Sequence, residues 1–236
     1  LHFMRYVTRI LQSICWRCSK ILISPDKKEL SRILQSKNGC SRFLAVSSLC
    51  NKASKKRCGD KNIDGCGAIQ PSNIKKETNT LGKITALWKS KSDEKEMSVT
   101  WDAEDVLKIF KRISNEDIIT LGFNPTHCRP EWLICQVLPV APPSVRPSVK
   151  ADNNTRMEDD ITHKYCDIIK TNKTLEHKLN NSVNNGKITK KALDEWYQLL
   201  QYHVATLVNN SLPGIPPAQQ RSGRPLKAIF DRLKSK

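Results

Sequence analysis

The sequence predicts a mixed α+β fold, mainly helical, stapled by a cysteine metal site. Three observations lead there. Most of the long patterned stretches repeat apolar residues at helical spacing. One short segment alternates apolar and polar residues as a strand does. A Cys-x-x-Cys pair is followed, in a basic loop, by glycine-flanked cysteines able to complete a tetrahedral site. The 236 residues allow one large or two small domains, each with its own core.

Phe3, Tyr6, Val7, Ile10, Leu11 and Ile14 recur at helical spacing, so residues 1–22 read as an amphipathic helix running into Cys15-Trp16-Arg17-Cys18. Further helices are expected over Lys27–Gln35 and Phe43–Leu49, then a polar, basic loop over 51–66. Leu81, Ile84, Ala86 and Trp88 mark the short strand. Ser98–Ser114 is expected as a helix capped by Thr100 or Asp102, burying Val106, Ile109, Phe110 and Ile113. A short helical turn, Asn115–Leu121, stops at Gly122. Trp132–Val140 reads as a strand-like run, and Pro139, Pro142, Pro143 and Pro147 forbid helix after it.

Residues 148–158 are polar and irregular. Asp159-Asp160 starts a helix to about Leu179, and an Asn-rich break follows over 180–186. Thr189 opens a second long helix carrying Leu193, Trp196, Tyr197, Leu200, His203, Val204 and Leu207, ended by Pro213-Gly214-Ile215-Pro216-Pro217. The tail is basic. The organisation expected is a metal-binding region over 1–143, a loop over 144–158, a helical hairpin over 159–208, and a second loop with a basic segment over 209–236. The chain starts at Leu1 as if inside an element, which suggests a fragment.

Lys and Arg number 40 against 23 Asp and Glu, for a net charge of +17 and a pI near 9.6. Residues 1–66 alone carry 14 basic and 4 acidic side chains. This balance points to a polyanionic partner, against the bland reading of a merely soluble basic protein. A membrane surface is disfavoured, because the basic residues are not gathered on one broadly apolar helix. No continuous apolar run is long enough to span a bilayer.

A Cys-x-x-Cys turn supplies two thiolates without straining the backbone, as Cys15 and Cys18 do here. For the second pair Cys40, Cys50, Cys58 and Cys66 are available. Cys58 and Cys66 are chosen, because Gly59, Gly65 and Gly67 let the chain turn sharply around a metal. The competing reading, a redox pair, needs a βαβ context that is not seen. Four protein ligands leave no open position, so the zinc would be structural. Cys128, Cys135 and Cys166 read as buried small hydrophobes, and His163, His177 and His203 lack ligand partners at suitable spacing. Nine cysteines with four Asn-x-Ser/Thr sequons, at Asn153, Asn172, Asn180 and Asn209, would also suit a secreted disulfide protein, but the odd count speaks against that.

The end of the chain carries longer motifs: Leu199-Leu200-Gln201-Tyr202-His203-Val204-Ala205-Thr206, then Leu212-Pro213-Gly214, then Gln220-Arg221-Ser222-Gly223-Arg224-Pro225-Leu226-Lys227 and Arg232-Leu233-Lys234. Upstream stand Gly65-Cys66-Gly67 with Gln70-Pro71, Ile109-Phe110-Lys111-Arg112-Ile113-Ser114, Leu121-Gly122-Phe123, Arg129-Pro130-Glu131-Trp132, Val137-Leu138-Pro139-Val140 and Asp159-Asp160-Ile161-Thr162-His163-Lys164. In this order they resemble the largest subunit of eukaryotic DNA-directed RNA polymerase II over essentially the whole chain, more than the equivalent subunits of polymerases I and III.

The resemblance implies the clamp region near that subunit's N-terminus, with Cys15, Cys18, Cys58 and Cys66 as its zinc ligands. It implies a lid over 144–158, a rudder over 209–223 and the start of a DNA-contacting switch from Arg224. Template DNA, the RNA–DNA hybrid and other polymerase subunits, including the second-largest, are the implied partners, and the nucleus the implied location. Arg221, Arg224, Lys227, Arg232, Lys234 and Lys236 are the candidate phosphate contacts. Two-metal nucleotidyl transfer needs Mg held by aspartates of a motif this chain lacks, so no catalytic residue is assigned.

The chain departs from the family at Ser19, where Gly commonly stands, at Phe230 and Asp231, and at Ser235. The Cys50–Cys66 loop is also short. A free-standing zinc module that binds nucleic acid is the alternative from another class.

Overall fold

A computed structural model describes residues 3–23, 28–52, 57–59, 65–77, 80–89, 97–150, 154–185 and 190–234. Thr189, Asn153, Ser235 and Lys236, all named above, lie outside the described residues. The architecture is mixed α and β, about half helical. The chain forms two compact units, residues 1–77 with 82–136, and residues 78–81 with 137–236.

In the first unit, α1 (Met4–Ser13), α2 (Lys28–Ser36) and α3 (Gly39–Lys52) precede a three-stranded antiparallel sheet. Its strands are β1 (Asn73–Lys76), β2 (Ile84–Trp88) and β3 (Met97–Trp101), with β2 in the middle. Then come α4 (Ala103–Lys111) and α5 (Asn115–Thr120). Helix α1 is shorter than the 1–22 expected. Its apolar stripe buries Val7, Ile10, Leu11 and Ile14, but Phe3 and Tyr6 stay largely exposed. Tyr6 instead stacks on Phe43, with ring centroids 5.8 Å apart. The α1 stripe joins Phe43 and Val46 of α3, Ile84 and Ala86 of β2, and Ile109 and Phe110 of α4 in one core.

Two expectations fail here. Residues 98–101 were expected inside a helix but form β3, because Met97–Trp101 pairs along all of β2 from Trp88↔Met97 to Ile84↔Trp101. The helix begins after Asp102, whose backbone N–H donates to the Asp105 carboxylate at 3.2 Å. That reciprocal contact is the capping signal, and it overrides Thr100. Secondly, Trp132–Val140 is no strand. Pro130–Leu133 makes a 3-10 turn and the rest is irregular. No described strand pairs with it; Leu133, Ile134 and Leu138 pack against the cores while Trp132, Val137 and Val140 are exposed, Val137 at 84%.

Gly122 ends α5 at φ 89°, and a Cβ there would lie 2.6 Å from the Gly39 carbonyl oxygen. Only glycine lets these two chain segments approach so closely. Cys128 and Cys135 in this unit, and Cys166 in the other, are exposed rather than buried. Cys128 and Cys135 fall in loops outside the core, and Cys166 falls on the outer face of its helix.

In the second unit, a 3-10 turn over Pro143–Val145 precedes a two-stranded ribbon, β4 (Val149–Lys150) with β5 (Arg156–Met157). Helices α6 (Asp160–Asn185) and α7 (Lys190–Val208) pack on each other, and α8 (Ile229–Lys234) closes the described chain. Helix α6 runs through the asparagines expected to break it. With no proline present, their low helix propensity is a small cost that cooperative helix extension overrides.

Asp159 starts α6 as a cap, its carboxylate accepting the Ile161 N–H at 2.9 Å. Ile161, Tyr165 and Leu207 form the core between α6 and α7. Lys164, also buried, lies 3.3 Å from His203 Nδ1 and over the Tyr202 ring. Burial and the Lys164 ammonium both hold the His203 imidazole below its usual range.

Candidate metal centre and basic segment

Two knuckles meet in the first unit. The chain after α1 pairs Ile14 with Ile21 and turns back so that Cys15 N–H donates to Lys20 O at 2.8 Å and Ser19 N–H to Cys15 O at 2.9 Å. The second knuckle repeats the pattern. Arg57 pairs with Ile69, Cys58 N–H donates to Ala68 O, and Gly67 N–H donates to Cys58 O, each at 2.9 Å. Glycine makes that turn possible: a Cβ on Gly65 would stand 2.4 Å from the Gly59 Cα.

The knuckles bring Cys15, Cys18, Cys58 and Cys66 together, with all four sulfurs within 4.8 Å of one another. Cys15 Sγ lies 3.6 Å from Cys66 Sγ, and Cys18 Sγ 3.5 Å from Cys58 Sγ. These separations are far too long for a disulfide. Four thiolates at about 2.3 Å from a tetrahedral zinc stand about 3.8 Å apart. The geometry and the all-sulfur donor set therefore fit zinc and not magnesium or calcium. Among the described residues no other group of His, Cys, Asp and Glu converges in this way. Cys40 is exposed on α3, and Cys50 donates to Ser13 O at 3.6 Å.

Burial pushes the Cys15 and Cys58 thiols up. At Cys66 burial also pushes upward, but the Ala68 N–H and the neighbouring thiols outweigh it and bring the group to about 7. Zinc binding displaces the thiol protons, so affinity falls with acid.

The core holds the first knuckle. Trp16 and Trp88 indoles both donate to Ile69 O, at 2.9 and 3.2 Å. Arg112 donates to Trp16 O at 3.2 Å. Ser19, at the position where glycine is common in the family, has φ 63°. A left-handed backbone costs a non-glycine residue about 1 kcal/mol. Its buried hydroxyl offsets that by donating to Ile109 O at 2.7 Å. Ser19→Ala keeps the strain and loses the bond, and is expected to destabilise the unit by about 1–2 kcal/mol in thermal or urea melts. Ser19→Gly relieves the strain and should cost less than Ser19→Ala. Equal losses in the two variants would remove the strain argument.

In the second unit Gln220–Arg224 forms a tight turn, with Gln220 N–H on Arg224 O at 2.8 Å and Gly223 at φ 80°. Buried Asn210 pins the loop before and after it, donating to Ala218 O and Leu226 O and accepting from Ala218 N–H. Asn209 is buried too, which leaves no room for a glycan at that sequon.

Of the basic candidates, Arg221, Arg224, Lys227 and Lys234 are exposed and Arg232 is half-buried. Lys234 Nζ sits 4.4 Å from the centroid of Phe230, so the family departure at Phe230 forms a cation–π contact. Sequence reasoning missed the holders of two arginines. Asp159 takes Arg232 through both oxygens, at 2.6 and 2.7 Å. Asp160 takes Arg224 at 3.3 Å, the Lys227 N–H at 3.0 Å and Gln220 Nε2. The only signal was two consecutive acids opposite a basic tail.

All of residues 1–236 match the family described as RNA polymerase Rpb1, domain 1. The chain is also 37% identical, over 99% of its length, to the DNA-directed RNA polymerase subunit Rpo1N of Methanocaldococcus jannaschii. It spans 16% of that relative's length. With its four-thiol knuckle pair and the helix pair that follows, the chain belongs to the RNA polymerase Rpb1 domain 1 family.

Proposed function

We propose that this chain is the N-terminal clamp portion of the largest subunit of a DNA-directed RNA polymerase. The four converging thiols carry the reading, because they offer a tetrahedral donor set for a structural zinc at the residues the resemblance assigns to one. The work of the chain is electrostatic. Arg221, Arg224, Lys227, Arg232, Lys234 and Lys236 meet the backbone of template DNA and of the RNA–DNA hybrid, without reading bases.

The ribbon β4–β5 lies within the lid-like stretch 144–158, and the pinned loop before Arg224 within the rudder-like stretch 209–223. Nucleotidyl transfer and its Mg ions belong to parts of the enzyme outside this chain, as do the second-largest and other subunits. The runs His203-Val204-Ala205-Thr206 and Ser222-Gly223-Arg224-Pro225 favour polymerase II, and with it the nucleus.

Elemental analysis of the purified chain tests the centre. One zinc per chain is expected, lost on changing Cys15, Cys18, Cys58 or Cys66 to Ser and kept on changing Cys40 or Cys50. The nucleic-acid role is tested by binding of the chain to an RNA–DNA hybrid across a salt series. The slope of log K on log salt should fall by about one for Lys227→Gln. A slope near zero in the parent chain would sink the phosphate-contact reading.

A further inference from the structure

The metal reading leaves one buried polar side chain unexplained. Gln70 follows Ile69, whose carbonyl takes the Trp16 and Trp88 indoles, and precedes β1. It is 7% exposed. Its side chain folds back to the thiols. Nε2 donates to Ala68 O at 2.8 Å and to Cys15 Sγ at 3.2 Å. Oε1 is buried with no protein partner.

A carbonyl oxygen can only accept, so Ala68 O fixes the amide with its NH2 group inward. Both amide hydrogens are then used, one on Ala68 O and one on the sulfur. The arrangement costs a buried acceptor, about 1–3 kcal/mol. Packing alone does not account for that cost, since a methionine would fill the space without it.

Cys15 is the sulfur that needs a donor. It is fully enclosed, while Cys66 is exposed. Four thiolates around one zinc carry a formal excess of two negative charges, and water cannot reach Cys15 to stabilise its share. The Arg17 backbone N–H already points at this sulfur from 3.4 Å, and Gln70 supplies a second N–H from the other knuckle. Ala68 O also accepts the Cys58 N–H, so the amide bridges the backbone beside one ligand to the sulfur of another.

Resting on the zinc reading, we propose that Gln70 is a positioning residue of the metal centre: its amide N–H···S bond to Cys15 holds a buried thiolate in place and slows metal release.

Two measurements on the full chain test this. In 113Cd-loaded, 15N-labelled protein, a scalar coupling across the N–H···S bond should correlate the Gln70 side-chain amide with the cadmium. This needs no variant. In Gln70→Met and Gln70→Glu, zinc transfer to a chromogenic chelator should be ~10–100-fold faster than in the parent, the range for loss of an outer-shell partner. In the cobalt-loaded variants the sulfur-to-metal charge-transfer band should move to lower energy, which loss of packing alone would not do.

No coupling in the cadmium protein overturns the proposal, as does an unshifted band in both variants at full metal loading. A parent chain that takes up neither zinc, cadmium nor cobalt sinks the metal reading itself.

Discussion

Replacing Cys58 with serine is expected to abolish the proposed zinc binding and to release residues 57–59 and 65–69 from the first knuckle. The serine hydroxyl is not deprotonated at neutral pH and is a poor replacement for a thiolate. The remaining three thiols, two of them half-buried or buried, then repel one another once ionised. Little else holds the second knuckle among the described residues. It contributes only Cys58 and Ala68 to a small cluster around Cys15, apart from the main core. Its other anchors among the described residues are the two indole bonds to Ile69 O and the Gln70 amide bond to Cys15 Sγ.

Structural zinc binding is worth about 10 kcal/mol or more at neutral pH, and in such a segment this free energy is folding free energy. The expected result is complete loss of zinc and rapid proteolysis within residues 57–59 and 65–69. The core of α1, α3 and the sheet should survive, because its apolar residues pack without the metal. Chelation of the parent should reproduce the effect and added zinc should reverse it, whereas the variant stays unresponsive. Parent-like protease resistance in Cys58→Ser would mean that the metal is not the staple.

Asp160→Ala should have the next largest effect, on the C-terminal segment. Its carboxylate is 7% exposed and gathers three donors from Gln220, Arg224 and Lys227. Arg224 is 58% exposed, so its ion pair contributes little after solvent screening. The backbone N–H of Lys227 and the Gln220 amide, both bonded to the buried carboxylate in half-buried contacts, matter more. Leaving such donors unpaired costs about 1–3 kcal/mol each. The variant should therefore lose about 3 kcal/mol, read as faster hydrogen exchange at the Lys227 amide and a lower melting temperature.

Asp160→Asn keeps an acceptor for the Lys227 N–H and should lose roughly a third as much. Unchanged exchange at Lys227 in Asp160→Ala would show that Asn210, which binds the same segment through Ala218 and Leu226, holds it alone.

Much of this protein is local, and local features are legible in sequence. The 3.6-residue period of Val7, Ile10, Leu11 and Ile14 places α1, and the glycines around Cys58 and Cys66 select that pair over Cys40 and Cys50. Gly122 marks the end of α5, because only glycine takes that backbone angle so close to another chain segment.

Several of the readings that failed depended on a partner distant in sequence. Residues 98–101 carry helix-compatible spacing, and only pairing with β2 makes them a strand. Trp132–Val140 carries strand-like composition, but it opens in the Pro130–Leu133 3-10 turn and no described strand pairs with it. Arg224 and Arg232 read as free cations until folding sets Asp160 and Asp159 beside them, across 64 and 73 residues of chain.

The sequence by itself determined the α+β character, the four thiols and the family resemblance, since these rest on residue type and short spacing. The tertiary structure alone decided which cations are held by carboxylates, how Ser19 offsets its strained backbone through Ile109, and that Gln70 reaches Cys15. Each of those joins groups whose meeting no short-range pattern encodes, and each is fixed by the need to pair a buried polar group.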